Sequence, residues 1–160
     1  DITLPGDPYP GYHAMAVTAC MGHGDAKIVA ELPAAFDPSK ILFVGLRNWE
    51  RGEIKARQHQ YGIKHLTPEE VAADSDALRA WLKSCGASKV VVHFDMDVLD
   101  PAEIVAAVGT DPDGMKIEAV IRVINDIAAE KELVGLTVAE PMPRTAIRLR
   151  DMLGRLPLLE

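Results

Sequence analysis

A chain of 160 residues, 48% of them hydrophobic, has the length of one domain and enough apolar content for a core, which argues against disorder. Its 17 Lys and Arg against 24 Asp and Glu leave a net charge of −7, so the positive field that a nucleic-acid partner requires is missing. No run reaches the roughly twenty apolar residues of a membrane span, no signal peptide is visible, and two cysteines, Cys20 and Cys85, make no disulfide framework.

The cysteines read as buried free thiols of a reducing compartment, and the expected location is the cytoplasm. The chain opens at Asp1 without an initiator Met, and the expectation is that upstream sequence is absent. Residues 1–11 hold Pro5, Gly6, Pro8, Pro10 and Gly11 and predict an ordered loop. Residues 13–21 are apolar and predict a helix. The run Ile41 to Leu46 predicts a buried strand, residues 50–60 a charged helix, and Ile63 to Leu66 a second short strand. Thr67-Pro68-Glu69-Glu70 combines a capping hydroxyl, a proline suited to the first helical position and a capping-box acid, so a helix is expected from Thr67 to about Ser84. The β-branched run Lys89 to Phe94 predicts a central strand. Ile117, Val120, Ile121, Ile124 and Ile127 recur at helical spacing over 117–130. Leu133 to Val138 predicts a strand and residues 144–156 a final amphipathic helix.

Alternating strands and helices imply βαβ units. The expected fold is a single domain over residues 1–160, a three-layer α/β/α arrangement with a mainly parallel sheet containing 41–46, 89–94 and 133–139. In such sheets ligands bind beyond the carboxyl ends of the strands. There stands His93-Phe94-Asp95-Met96-Asp97-Val98-Leu99-Asp100-Pro101. In an extended chain Asp95 and Asp97 point the same way, roughly 7 Å apart. Two carboxylates aimed together raise each other's pKa unless a cation lies between them, and hard oxygen ligands suit Mg²⁺ or Mn²⁺. Asp100, followed by Glu103, reads instead as a capping residue. Asp-x-Asp also follows the first strand of haloacid-dehalogenase-type phosphatases, which would use Asp95 as nucleophile with Mg²⁺. That is the alternative reading, although there the motif sits near the start of the domain and here it lies past mid-chain.

The longer string Phe94-Asp95-x-Asp97-x-x-Asp100-Pro101 resembles the signature of the arginase/agmatinase/formimidoylglutamase family, and other segments agree in order. Asp1-Ile2 resembles the end of the family's Asp-Ala-His-x-Asp stretch. Gly11-Tyr12-His13-Ala14-Met15 resembles its Gly-x-x-His-Gly-Met segment, and Val44-Gly45-Leu46-Arg47 with Gly52-Glu53 its strand-to-helix junction. Val108-Gly109-Thr110 resembles its Thr-Gly-Thr-Pro loop, and Val138 to Pro143 its Glu-x-Asn-Pro strand end. The resemblance implies two Mn²⁺ ions sharing a hydroxide that attacks a guanidino or formimino carbon, releasing urea or formamide and an amine or amino acid. By the same resemblance Asp95 bridges both ions, Asp97 and Asp1 each bind one, and His13 relays a proton to the leaving amine. Glu140 holds the guanidinium and Thr110 lines the pocket. A homo-oligomer, trimer or hexamer, is implied as well.

The pattern also departs from the family. Of six protein ligands only Asp1, Asp95 and Asp97 are present, because the Gly-Gly-Asp-His stretch and the start of Asp-x-His-x-Asp would lie upstream of residue 1. The expectation is half an enzyme, inactive by itself; a non-catalytic remnant is the third reading. Thr3 stands where arginases carry a substrate-reading Asn. Glu50 and Glu53 fall where arginases place acids that meet the substrate's α-amino group. Arginine, agmatine, formiminoglutamate or another guanidino compound stays open as substrate. His93 replaces the usual Ser and is expected to support the ligands from behind. His13, Asp95, Asp97 and Glu140 are expected to converge at the carboxyl edge of the sheet.

Overall fold

A computed structural model describes residues 2–9, 11–49, 51–142 and 146–159. The chain forms two compact units, each built from two stretches: Asp1–Phe43 with Trp49–Lys64, and Val44–Asn48 with His65–Glu160. At the crossings between stretches lie two short strands, β1 (Leu42–Val44) and β2 (Lys64–Leu66), which pair with each other.

Among the described residues the first unit holds three α-helices, α1 (Ala16–Cys20), α2 (Ala26–Val29) and α3 (Gly52–Tyr61). Its core joins Ile2, Met21 and Ile63, with Val17, Ile41, Phe43, Ile54 and Tyr61 packed around them. The Pro/Gly loop is fixed by one acid. Asp7 accepts two bonds from the Arg57 guanidinium, at 2.6 and 3.1 Å, and one from the Leu4 amide at 2.8 Å. Arg57 also donates to the Ile2 carbonyl at 2.8 Å. A bidentate guanidinium on a carboxylate, with a backbone donor added, holds Asp7 below the ordinary carboxylate range. This is why a glycine- and proline-rich run forms one defined loop.

The second unit carries α4 (Asp76–Ser84), β3 (Lys89–Asp95), α5 (Ile117–Glu130), β4 (Glu132–Ala139) and α6 (Ala146–Leu153). β3 and β4 run parallel, with Val91 beside Gly135, His93 beside Thr137 and Asp95 beside Ala139, after an irregularity between Val90 and Val91. Helix α5 spans the expected residues and buries Val120, Ile121, Val123, Ile124 and Ile127. Each such side chain contributes about 1.5–3 kcal/mol by leaving water. It packs on α4 and β4. Its first amide, Ile117, is capped from a distance by Glu103 Oε2 at 2.8 Å.

Four expectations need correction. Strands 42–44 and 89–95 lie in separate two-stranded sheets among the described residues, so one continuous sheet is not seen there. The helix expected from Thr67 starts as only a 3-10 turn, Glu69–Val71, and the α-helix begins at Asp76. β3 is open on one face: Lys89, Val91 and His93 are exposed, whereas Phe94 is buried. Cys20 is exposed and Cys85 half-buried, so neither is a buried thiol. No helix of the described residues is long and apolar enough to cross a membrane.

Candidate metal centre

β3 ends at Asp95, and the chain then tightens into a 3-10 turn, Met96–Val98. Met96 is buried and anchors the turn. Asp97 therefore projects from a turn, and its amide donates to Asp95 Oδ1 at 3.4 Å. The extended backbone expected from Asp95 to Asp97 is thus replaced by a turn, while the two side chains still face one site. The parallel partner β4 ends level with β3, and Glu140 follows it directly. Glu140 has φ 57°, a left-handed conformation that is uncommon outside glycine. Such backbone strain persists where the surroundings over-determine it, and it recurs at ligand sites.

Together Asp95, Asp97 and Glu140 offer three carboxylate oxygens within 4.8 Å of one another. Asp95 is half-buried, and the other two are exposed. Loss of hydration pushes the Asp97 carboxyl above the usual range; repulsion from Asp95 and then Glu140 pushes it further, and the Arg47 guanidinium offsets part of this. An all-oxygen cluster under mutual repulsion fits a hard divalent cation.

Asp100 is outside the cluster, as expected of a capping residue. Its Oδ1 accepts from the Ala102 amide at 2.9 Å and its Oδ2 from Lys116 Nζ at 2.5 Å. His93 pairs across the sheet, Nδ1 to Thr137 Oγ1 at 2.7 Å, and is not among the three clustered acids. Thr110 lies exposed in a loop whose Gly109 abuts Asp97: a Cβ on Gly109 would stand 3.1 Å from the Asp97 Cβ. His13 and Glu53 belong to the other unit. His13 is exposed ahead of α1, with its Nε2 2.7 Å from the Tyr9 hydroxyl, and Glu53 stands exposed in the first turn of α3. Thr3 is buried, with its amide bonded to the Ala14 carbonyl at 3.1 Å. Asp1 and Glu50 lie outside the described residues. Sequence reasoning did not single out Tyr9, although Tyr9 and His13 stand four residues apart within one loop.

The sequence matches the model of the Arginase family over residues 5–151. An arginase from Entamoeba histolytica is 26% identical over 149 residues, which cover 90% of this chain and 50% of that protein. Among solved structures, an Entamoeba histolytica arginase in complex with L-ornithine superposes with a TM-score of 0.82 at 21% identity, over 97% of this chain and 55% of that one. An arginase from Bacillus subtilis gives 0.77 at 19% identity, over 89% and 52%. These superpositions establish an arginase-like α/β fold. The chain spans about half the length of the curated relative it matches. With the match to the family model covering most of its residues, the chain belongs to the arginase family.

Proposed function

We propose that this chain supplies the Asp-x-Asp side of a manganese centre in a ureohydrolase, a hydrolase that splits the C–N bond of a small guanidino or formimino compound. The convergence of Asp95, Asp97 and Glu140 in a chain of this family is the observation that carries the reading. Bound Mn²⁺ would lower the pKa of water and so supply a nucleophile at neutral pH. Asp95 and Asp97 hold the ions, with Asp1 as a third carboxylate ligand. Glu140 presents a carboxylate to the cationic guanidinium, the kind of charge-assisted bond that fixes orientation. His13 carries a proton to the leaving amine, and the Tyr9 hydroxyl beside it orients the imidazole. Thr110, Glu50 and Glu53 contact the rest of the substrate. The complete enzyme is proposed to be cytoplasmic and a trimer or hexamer.

Three carboxylates are too few for two divalent ions, so the 160-residue chain by itself is expected to show negligible turnover. Family membership does not favour the phosphatase alternative for Asp95. The test is a substrate screen on the protein extended upstream to the length of its arginase relatives. Guanidino and formimino compounds are assayed with Mn²⁺ for urea, formamide or ammonia, and phosphate esters are assayed with Mg²⁺ in parallel. Turnover of the first panel, lost in Asp95→Asn, is the expected result. Phosphate release with a phosphorylated Asp95, or no turnover on either panel, contradicts the proposal.

A further inference from the structure

Arg47 follows β1 by three residues, after a sharp turn at Gly45. That turn has φ 85°, and a Cβ there would collide with Val98 Cγ2 and lie 2.8 Å from Met115 Sδ, so glycine is required twice over. The turn delivers the Arg47 guanidinium to three backbone carbonyls. Nε donates to Pro112 O at 2.9 Å, and Nη2 to Asp111 O at 2.7 Å and to Asp97 O at 3.0 Å. A rigid planar fork suits such a task, whereas a lysine ammonium is a single point charge. The three acceptors come from two places: the loop that carries Gly109 and Thr110, and the peptide of Asp97 itself.

The loop held in this way touches the Asp97 side chain. At Gly109 an added Cβ would lie 3.1 Å from Asp97 Cβ and 3.2 Å from its Oδ2, closer than ordinary contact. Gly109 therefore forms a flat wall against the carboxylate. Without such restraint, repulsion from Asp95 and Glu140 favours rotamers of Asp97 that swing away from the cluster. From this geometry we infer that Arg47 and Gly109 form a positioning clamp. Arg47 ties the Asp97 peptide to the 109–112 loop, and Gly109 lets that loop hold the Asp97 carboxylate toward Asp95 and Glu140. Neither residue touches a metal. The inference rests on the proposal above that the cluster takes a divalent ion.

The experiment titrates the 160-residue chain with MnCl₂ and follows the EPR signal of the free ion. Wild type is compared with Arg47→Lys, Arg47→Met and Gly109→Ala, and the metal-free melting temperature of each is recorded. The clamp predicts Mn²⁺ affinity weakened about tenfold or more in each variant, the usual cost of losing a group that orients a ligand. For Gly109→Ala the melting temperature stays near wild type. A merely structural Arg47 would lower the melting temperature and leave the affinity of the folded protein unchanged, which overturns the inference. If Arg47→Met does not fold, Gly109→Ala and Arg47→Lys decide the matter by the same readout. Wild-type binding with undiminished binding in the variants sinks the clamp alone. Absence of binding in wild type sinks the metal-centre proposal and the clamp with it.

Discussion

Asp97 sets the electrostatic state of the site. Partial dehydration, then Asp95, then Glu140 raise its pKa from the usual 3.8. A carboxyl whose folded pKa lies above its unfolded value stabilises the fold below the unfolded pKa, and that contribution is lost as pH rises through the folded value. At neutral pH, well above the unfolded value, this upward shift therefore works against the metal-free fold. Asp97→Asn should raise the melting temperature of the EDTA-treated chain at neutral pH, and the gain should vanish as pH falls below about 4. A thermal melt series across pH checks this; a variant less stable than wild type at neutral pH would contradict it. The pairing of Asp95 with Asp97 was legible from two acids one residue apart after a β-branched run. The 3-10 turn between them was not, because it depends on where the buried Met96 falls. The left-handed backbone of Glu140 was likewise invisible, since no glycine or asparagine marks it.

At the scale of elements, local signals were read well where tertiary contacts agreed with them. α5 matched its apolar period because that face is the core. The Thr67 capping box also forms, with the Thr67 amide 2.7 Å from Glu70 Oε2 and the Glu70 amide 3.3 Å from Thr67 Oγ1. Yet no long helix follows. Arg122, on α5, donates to the carbonyls of Val71, Ala72 and Asp74, acceptors that a continuing helix would have used, and to the Oγ of the buried Ser75. Asp74 Oδ1 then accepts from the Asp76 amide at 3.0 Å and starts α4 afresh. A side chain about 50 positions away decides where the helix begins, which no local pattern can reveal. Arg122→Met should destabilise the chain by about 1–3 kcal/mol, the cost of leaving partly buried acceptors unpaired. Urea unfolding measures it, and a change near zero would show that water replaces the guanidinium without loss.

For the molecule as a whole, the arginase-like fold and the family were legible because several short motifs fell in one order along the chain, a coincidence that composition or periodicity would not produce. The division into two units was not legible, because each unit joins stretches distant in sequence. Everything proposed here depends on Asp95 and Asp97 holding a divalent metal, with the Glu140 carboxylate beside them. Titration of the 160-residue chain with Mn²⁺, in wild type and in Asp95→Asn, Asp97→Asn and Glu140→Gln, tests it most directly. Weak binding of about one ion with added waters is expected, lost in Asp95→Asn and Asp97→Asn; in Glu140→Gln it is reduced less, through loss of a nearby negative charge and not of a ligand. Binding that survives all three substitutions, or tight binding of two ions by this chain, would contradict it and place the metal site on other residues.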